Sequence, residues 1–314
     1  MAHYLITGGA GFIGSRLAHA LVARGDRVRI LDNFATGRRE NLEGLGKGSE
    51  ILEGSVDDPA VVERAMVGIE YVLHQAALPS VQRSVEFPLE SHATNQTGTL
   101  RLLVAARKAA VRRFVYASSS SVYGDSPQLP KVETMPAAPL SPYAVGKLGG
   151  ELYCRVFHRL HGLETVSLRY FNVFGPGQRP DSAYAAVVPR FVEAILSGKA
   201  PVIYGDGTQS RDFTYIDNVV QANLAACSAG PAAAGEAFNI ACGEAVSLLD
   251  LLQKMAEVSG RDLTPRFEPP RSGDVRHSLA DIGKATRLLG YRPSVTFREG
   301  LRKTLEAAGA TRPS

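Results

Sequence analysis

A chain of 314 residues, 45% of them hydrophobic, can bury the core of one large α/β domain with a smaller lobe grafted on it. A formal charge of +4, with no basic block beyond Arg38-Arg39, argues against a nucleic-acid partner and suits an anionic small molecule met by a few convergent arginines. The longest apolar runs are strand-sized and the N-terminus runs straight into glycines, so neither a membrane span nor a signal peptide is expected and the protein is read as cytoplasmic.

Over the first 170 or so residues, apolar β-rich runs at 4–7, 28–31, 71–74, 114–117 and 166–170 alternate with amphipathic helical segments. The helices begin near Gly14, Pro59 and Asn95, and one covers 141–160. This alternation predicts a doubly wound parallel Rossmann sheet of the α/β class, covered on both faces. The texture changes after Asn172. Residues 175–180 and 265–273 read as loops, and 200–207 as a short strand and turn. A helix over 217–229 and a buried strand over 237–241 return the chain to the main sheet. The expected division is a dinucleotide-binding body, 1–171 joined by about 212–241, and a smaller discontinuous lobe of 172–211 and 242–314. No repeat is present, and the last few residues read as disordered. Cys154, Cys227 and Cys242 fit no metal or redox spacing and read as small buried hydrophobes.

Thr7-Gly8-Gly9-Ala10-Gly11-Phe12-Ile13-Gly14 follows the first strand and opens a helix. Glycines allow a tight turn close to a diphosphate, and the helix start offers free N–H groups. The second strand ends at Asp32-Asn33, where a carboxylate can bond the adenosine ribose and repel a 2′-phosphate. NAD is therefore expected rather than NADP, with Arg38 and Arg39 as the counter-argument.

Tyr143 and Lys147 lie one helical turn apart and share a face. A phenol of pKa about 10 is a poor base at neutral pH, and an ammonium beside it is expected to lower that value. A base near the working pH is what removal of a sugar hydroxyl proton requires. Ser118, Ser119, Ser120 and Ser121 end the preceding strand, where a hydroxyl can bridge substrate and tyrosine. His74, His158 and His161 read as packing or solvated residues.

These motifs, with His74-Gln-Ala-Ala, Asn95-x-x-Gly98-Thr99, Ser141-Pro-Tyr-Ala-Val-Gly-Lys147, Arg169-Tyr-Phe-Asn-Val-Phe-Gly175, Arg211-Asp-Phe and Gly273-Asp-Val-Arg-His-Ser278, resemble the extended short-chain dehydrogenases over nearly the whole chain. Within them the chain is most similar to the UDP-hexose 4-epimerases. The resemblance implies Ser119, Tyr143 and Lys147 as catalytic residues. It implies a cofactor site from Gly8, Gly11, Phe12, Ile13, Asp32, Asn33, Thr36, Gly37, Ser55, Val56, Gln75, Ala76, Ala77, Asn95, Ser118, Tyr143, Lys147 and Tyr170. Ser55 stands where the family has an aspartate toward the adenine. Around the UDP-sugar it places Pro79, Ser80, Ser119, Ser120, Tyr143, Asn172, Arg179, Ala186, Val187, Arg211, Arg271 and Ser278, with arginines suited to the diphosphate.

The small Ser278 resembles the N-acetylhexosamine epimerases, whereas Arg179-Pro-Asp resembles the UDP-glucuronate epimerases, and both substrates, with plain UDP-glucose, stay open. A 4,6-dehydratase or UDP-glucuronate decarboxylase is the alternative, but these carry a carboxylic acid where this chain has Ser120 and Ser121. A non-catalytic NAD-sensing protein is more remote, because tyrosine and lysine are both present. The resemblance also implies a homodimer formed through helices near 95–110 and 141–160.

Overall fold

The computed structural model describes residues 1–179, 186–270 and 275–309. The elements run β1 (His3–Thr7), α1 (Phe12–Ala23), β2 (Arg27–Asp32), β3 (Ser49–Glu53), α2 (Pro59–Met66), β4 (Tyr71–His74), α3 (Val81–Glu86), α4 (Pro88–His92), α5 (Thr99–Lys108), β5 (Arg113–Ser119), α6 (Pro142–His161) and β6 (Thr165–Tyr170). They continue with β7 (Val173–Phe174), α7 (Val187–Ser197), β8 (Val202–Tyr204), β9 (Ser210–Asp212), β10 (Thr214–Tyr215), α8 (Ile216–Ser228), β11 (Glu236–Ile240), β12 (Ala245–Ser247), α9 (Leu248–Ser259), β13 (Arg266–Glu268), α10 (Gly283–Leu289) and α11 (Phe297–Ala307).

Seven parallel strands form the central sheet in the order β11-β6-β5-β4-β1-β2-β3. Successive residues of a strand point to opposite faces, so each apolar run feeds two cores. Ile6, Val115 and Val166 pack with Leu17 and Leu21 of α1 and Val219 of α8. Leu5, Val72 and Phe114 pack on the other face with Met66 of α2, Leu102 of α5 and Phe157 of α6. The strand order reverses between β1 and β4, which opens a crevice at the carboxyl ends of the strands.

Helix starts follow the capping chemistry in the sequence. Asp58 accepts from the Ala60 and Val61 amides ahead of Pro59, and Ser141 accepts from Ala144 N ahead of Pro142. Three two-stranded pairs, β7 with β10, β9 with β12 and β8 with β13, build the smaller part around Phe174, Phe213, Tyr215 and Phe297.

The sheet order, the crossovers and the return at β11 match the expected doubly wound class. Several strands are not among those expected, and β3 and β13 show why. β3 is half exposed at the sheet edge and carries no apolar run. β13 falls in the segment read as loop, because its three residues become extended by pairing with β8 rather than by their own propensity. Near Asn95 the helix is also not simple: α3 and α4 lead into a π-helical stretch, Ala93–Gly98, before α5. The expected disorder of the last residues falls on 310–314, outside the described residues.

α6 approaches β5 closely because Gly150 has no side chain; a Cβ there would overlap the Tyr116 phenol. Gly150→Ala is expected to cost about 1–3 kcal/mol through overpacking, read from the urea unfolding midpoint.

Candidate active site

The glycine turn after β1 is shaped by its own crowding. Gly8 takes φ +68° with the backbone of Ala76 alongside, and a Cβ on Gly14 would strike the Gly8 carbonyl. α1 then starts at Gly11 with no side-chain cap and no acidic residue in its first turn. Uncapped N–H groups at the positive end of a 12-residue helix, beside a backbone stripped of Cβ atoms, fit a diphosphate.

Asp32 Oδ2 accepts from Ala10 N at 2.8 Å and Oδ1 from Phe34 N at 2.8 Å. The carboxylate thus pins the 33–37 loop to the glycine turn, and its remaining lone pairs stay at the strand end. Gly37 lets that loop close, since a Cβ there would lie 2.8 Å from Ala10 Cβ. Asn33 and Thr36 are exposed on this loop. Arg39 sits 4.0 Å over the Phe34 ring and pairs with Glu53. Ser55 and Val56 follow β3; Val56 is buried against Gly98, and a Cβ on Gly98 would meet it at 2.7 Å. Phe12, Ile13, Ala76 and Ala77 are partly buried around the same crevice.

Several residues expected to touch cofactor have side chains committed to the protein. Asn95 Oδ1 accepts from Leu78 N at 2.8 Å and its amide donates to Leu78 O at 3.1 Å, which clamps the 75–80 loop. Tyr170 and Gln75 bond to Asn223 at 3.1 Å each. Ser118 is 3% exposed, and its hydroxyl donates to Glu151. Ser118 is therefore turned into the core and does not share the bridging work of Ser119.

Tyr143 and Lys147 lie on one face of α6, as their spacing predicts. The Lys147 ammonium is buried, donates to Ala117 O at 2.8 Å, and lies 5.8 Å from the Tyr143 ring centroid. The Ser119 hydroxyl faces the Tyr143 phenol closely enough to act on its pKa. Ser119 Oγ accepts from Ser121 N at 3.2 Å and Ser121 Oγ at 2.9 Å. The acid–base balance differs from expectation. Desolvation raises the Tyr143 phenol, and the pull downward comes from Ser119. The ammonium donates to Ala117 O, and burial brings Lys147 itself down to about 7.

On the substrate side, Pro79 is exposed and Ser80 caps α3 by accepting from Arg83 N at 3.0 Å. Ser120 is partly buried beside Ser119. Asn172 takes φ +33° and donates to Asp212 O at 3.2 Å. Arg211 on β9 donates to Ser210 O at 2.9 Å and Arg276 O at 3.1 Å. Ser278 N bonds Ser210 O at 3.0 Å, so Ser278 and Arg211 belong to one paired edge. Ala186 and Val187 open α7, and Arg179 is exposed at the end of the 175–179 loop. Arg271 and the Pro180-Asp181 stretch lie outside the described residues. Among the described residues, no cluster of His, Cys, Asp and Glu suits a metal ion, and no helix is long and apolar enough to cross a membrane.

The sequence assigns no site role to Glu151, Arg169 or Asn223, although Arg169 opens a quoted motif and Glu151 falls one further turn along the Tyr143–Lys147 face. His74 is a core residue held between Thr7 Oγ1 at 2.6 Å and Thr99 Oγ1 at 2.8 Å. Burial, with Lys147 adding to it, lowers His74 to about 3. The unfolded chain binds this proton near the usual value of about 6.5, so the stability it contributes is full above that pH and fades as pH falls toward 3. Replacing it, His74→Gln, should flatten the fall of the thermal midpoint between pH 6.5 and 4; an unchanged slope would exclude His74 as its source.

Residues 4–241 match the model of the NAD dependent epimerase/dehydratase family. A UDP-glucose 4-epimerase of Mycolicibacterium smegmatis is 41% identical over 309 residues, 96% of this chain and 97% of its own length. The solved UDP-N-acetylglucosamine 4-epimerase of Methanobrevibacter ruminantium, in complex with UDP-N-acetylmuramic acid, superposes with a TM-score of 0.93 at 38% identity, covering 98% of this chain and 97% of that one. The UDP-glucuronic acid 4-epimerase of Bacillus cereus, solved with UDP-glucuronic acid and NAD, gives 0.90 at 34% identity over 98% and 99% of the two chains.

Proposed function

The chain belongs to the NAD dependent epimerase/dehydratase family, and on that footing we propose that it interconverts UDP-hexoses at C4 with NAD as its cofactor. The observation that carries this reading is the partly buried Tyr143 phenol, beside the Ser119 hydroxyl and one turn from a buried ammonium, at the carboxyl edge of the sheet. We assign 1–171 with 212–241 as the cofactor-binding body, and 172–211 with 242–314 as the lobe that holds the UDP-sugar.

In this mechanism Tyr143 takes the proton from the sugar O4, and Ser119 orients both oxygens through its hydroxyl. NAD, when bound, would supply a reversible hydride acceptor for C4, so that net redox is zero. The Gly8–Gly14 turn and the start of α1 would hold its diphosphate, and Asp32 its adenosine ribose. A positively charged cofactor held beside Tyr143 would oppose the desolvation that raises the phenol. Arg211, with Arg271, holds the diphosphate while the 4-keto sugar turns over. Elimination of water or loss of a carboxylate in the related reactions calls on a carboxyl acid–base group, and Ser121 here donates instead to Ser119.

The assay is proton NMR of the purified protein with UDP-glucose, UDP-glucuronate and UDP-N-acetylglucosamine in turn. A C4 epimer from at least one is expected, and the fastest identifies the sugar that the pocket fits. A 4-keto-6-deoxy sugar or UDP-xylose would sink the epimerase reading. Tyr143→Phe should lower turnover by about 100-fold or more while NAD content stays unchanged.

We also infer a homodimer. Val104 on α5 and Val145, Leu152, Val156 and Leu160 on α6 are 40–72% exposed and recur at seven- and four-residue spacing along α6, an apolar stripe suited to helix–helix packing. Leu152→Glu should convert a dimer to a monomer in analytical ultracentrifugation; a wild-type chain that sediments as a monomer would overturn the inference. Three unpaired cysteines suit a reducing compartment, and we place the enzyme in the cytoplasm.

A further inference from the structure

Five buried polar side chains outside the proposed chemistry form one continuous hydrogen-bonded chain under the carboxyl edge. Ser118 donates to Glu151, and Glu151 receives Arg169 through Nε at 2.9 Å and Nη2 at 2.7 Å. Arg169 Nη1 donates to the Tyr123 hydroxyl at 2.8 Å, which donates to Asn239 Oδ1 at 2.6 Å. Asn239 Nδ2 ends the chain on two carbonyls, Lys131 O at 2.9 Å and Asp281 O at 3.1 Å. None of the five exceeds 7% exposure.

The two ends lie at different walls of the proposed site. At one end Ser118 adjoins Ser119, and Glu151 lies one turn beyond Lys147 on α6. At the other end Lys131 N donates to Leu279 O at 2.7 Å and Asp281 N to Lys131 O at 2.9 Å. The strap around Lys131 therefore fastens the segment that follows Ser278. Tyr123 is the middle link. Its oxygen accepts from a guanidinium and donates to an amide at once, a double role that no apolar side chain fills. Burial pushes its phenol up to about 12, so it remains a donor at neutral pH.

We propose that Tyr123 is a positioning residue for the epimerase reaction: through Asn239 and the Lys131 strap it docks the Ser278–Asp281 segment at a fixed distance from the Ser119 and Tyr143 wall, and so sets the fit of the sugar. This rests on the function proposed above. The chain transmits position, not protons, and Tyr123 touches no substrate.

The test is Tyr123→Phe, which keeps the ring and leaves Arg169 Nη1 and Asn239 Oδ1 unpaired. KM for the UDP-sugar is expected to rise about tenfold, with kcat within about twofold of wild type and NAD content unchanged. Hydrogen exchange should accelerate at the Asp281 amide and its neighbours while β1 and α1 keep their protection. An unchanged KM, a loss confined to kcat, or exchange that rises uniformly across the protein would overturn the proposal and leave Tyr123 a general stability residue. Failure of the wild-type protein to epimerise any UDP-sugar would refute the function instead; the exchange comparison needs no substrate and still decides whether Tyr123 holds the segment.

Discussion

The hydrogen bond from the Lys147 ammonium to Ala117 O, 2.8 Å long and closed to solvent, fastens α6 to the end of β5. Burying a cation costs several kcal/mol even after the protein relaxes, and the depression of Lys147 to about 7 expresses that cost. What the fold gains is geometry. One turn before Lys147 stands Tyr143, one turn after stands Glu151, and the strand that receives the ammonium continues into Ser118 and Ser119. The tyrosine, its serine partner and the buried ion pair are fixed relative to one another by this single contact and by the absence of a side chain at Gly150.

The neighbouring polar groups follow from it. Burial, reinforced by the ammonium nearby, keeps His74 neutral between two threonine hydroxyls. Asn95, from the π-helical stretch, then uses its amide on both backbone groups of Leu78. The loop between β4 and α3 is thereby shaped before any ligand arrives. Much of what surrounds the crevice is thus engaged with backbone, and the groups left to meet ligands are few.

The sheet was legible in the sequence because parallel strands buried on both faces write themselves as apolar runs, as in 114–117 and 166–170. The glycine turn, Asp32 and the Tyr143–Lys147 spacing were legible because each depends on local backbone or one helical turn. β3 and β13 were not, since edge strands with half-exposed side chains owe their form to a partner far along the chain. Nor were the partners of the polar residues. Ser118 and Ser119 are neighbours with the same hydroxyl, yet strand alternation sends one to Glu151 in the core and the other to Tyr143 in the crevice. A serine run does not reveal which hydroxyl faces where until the strand's register is known. The setting of Tyr143 is not legible either, because the sequence carries its spacing from Lys147 but not the burial that raises the phenol.

The end of β9 shows the same preference for geometry over stability. Asp212 is fully buried at the end of β9, and its carboxylate accepts from Cys242 N at 2.9 Å, Gly243 N at 3.0 Å and Ala280 N at 3.2 Å. Desolvation outweighs these amides and raises it to about 6. With the folded value above the unfolded one, stability from this group falls as pH rises from about 4 to 6, so its ionised form at neutral pH works against the fold. An apolar residue of similar volume would avoid that cost but would leave three amides unpaired and would release the 242–243 turn and Ala280 from the strand that carries Arg211. Asp212 and the Ser118–Asn239 chain thus secure the two sides of the Ser278–Asp281 segment independently: one through backbone amides, the other through side chains that begin beside Ser119. A pocket in which a sugar must turn over between two faces needs its walls held and its centre open, and the buried polar groups of this protein lie where they hold the walls.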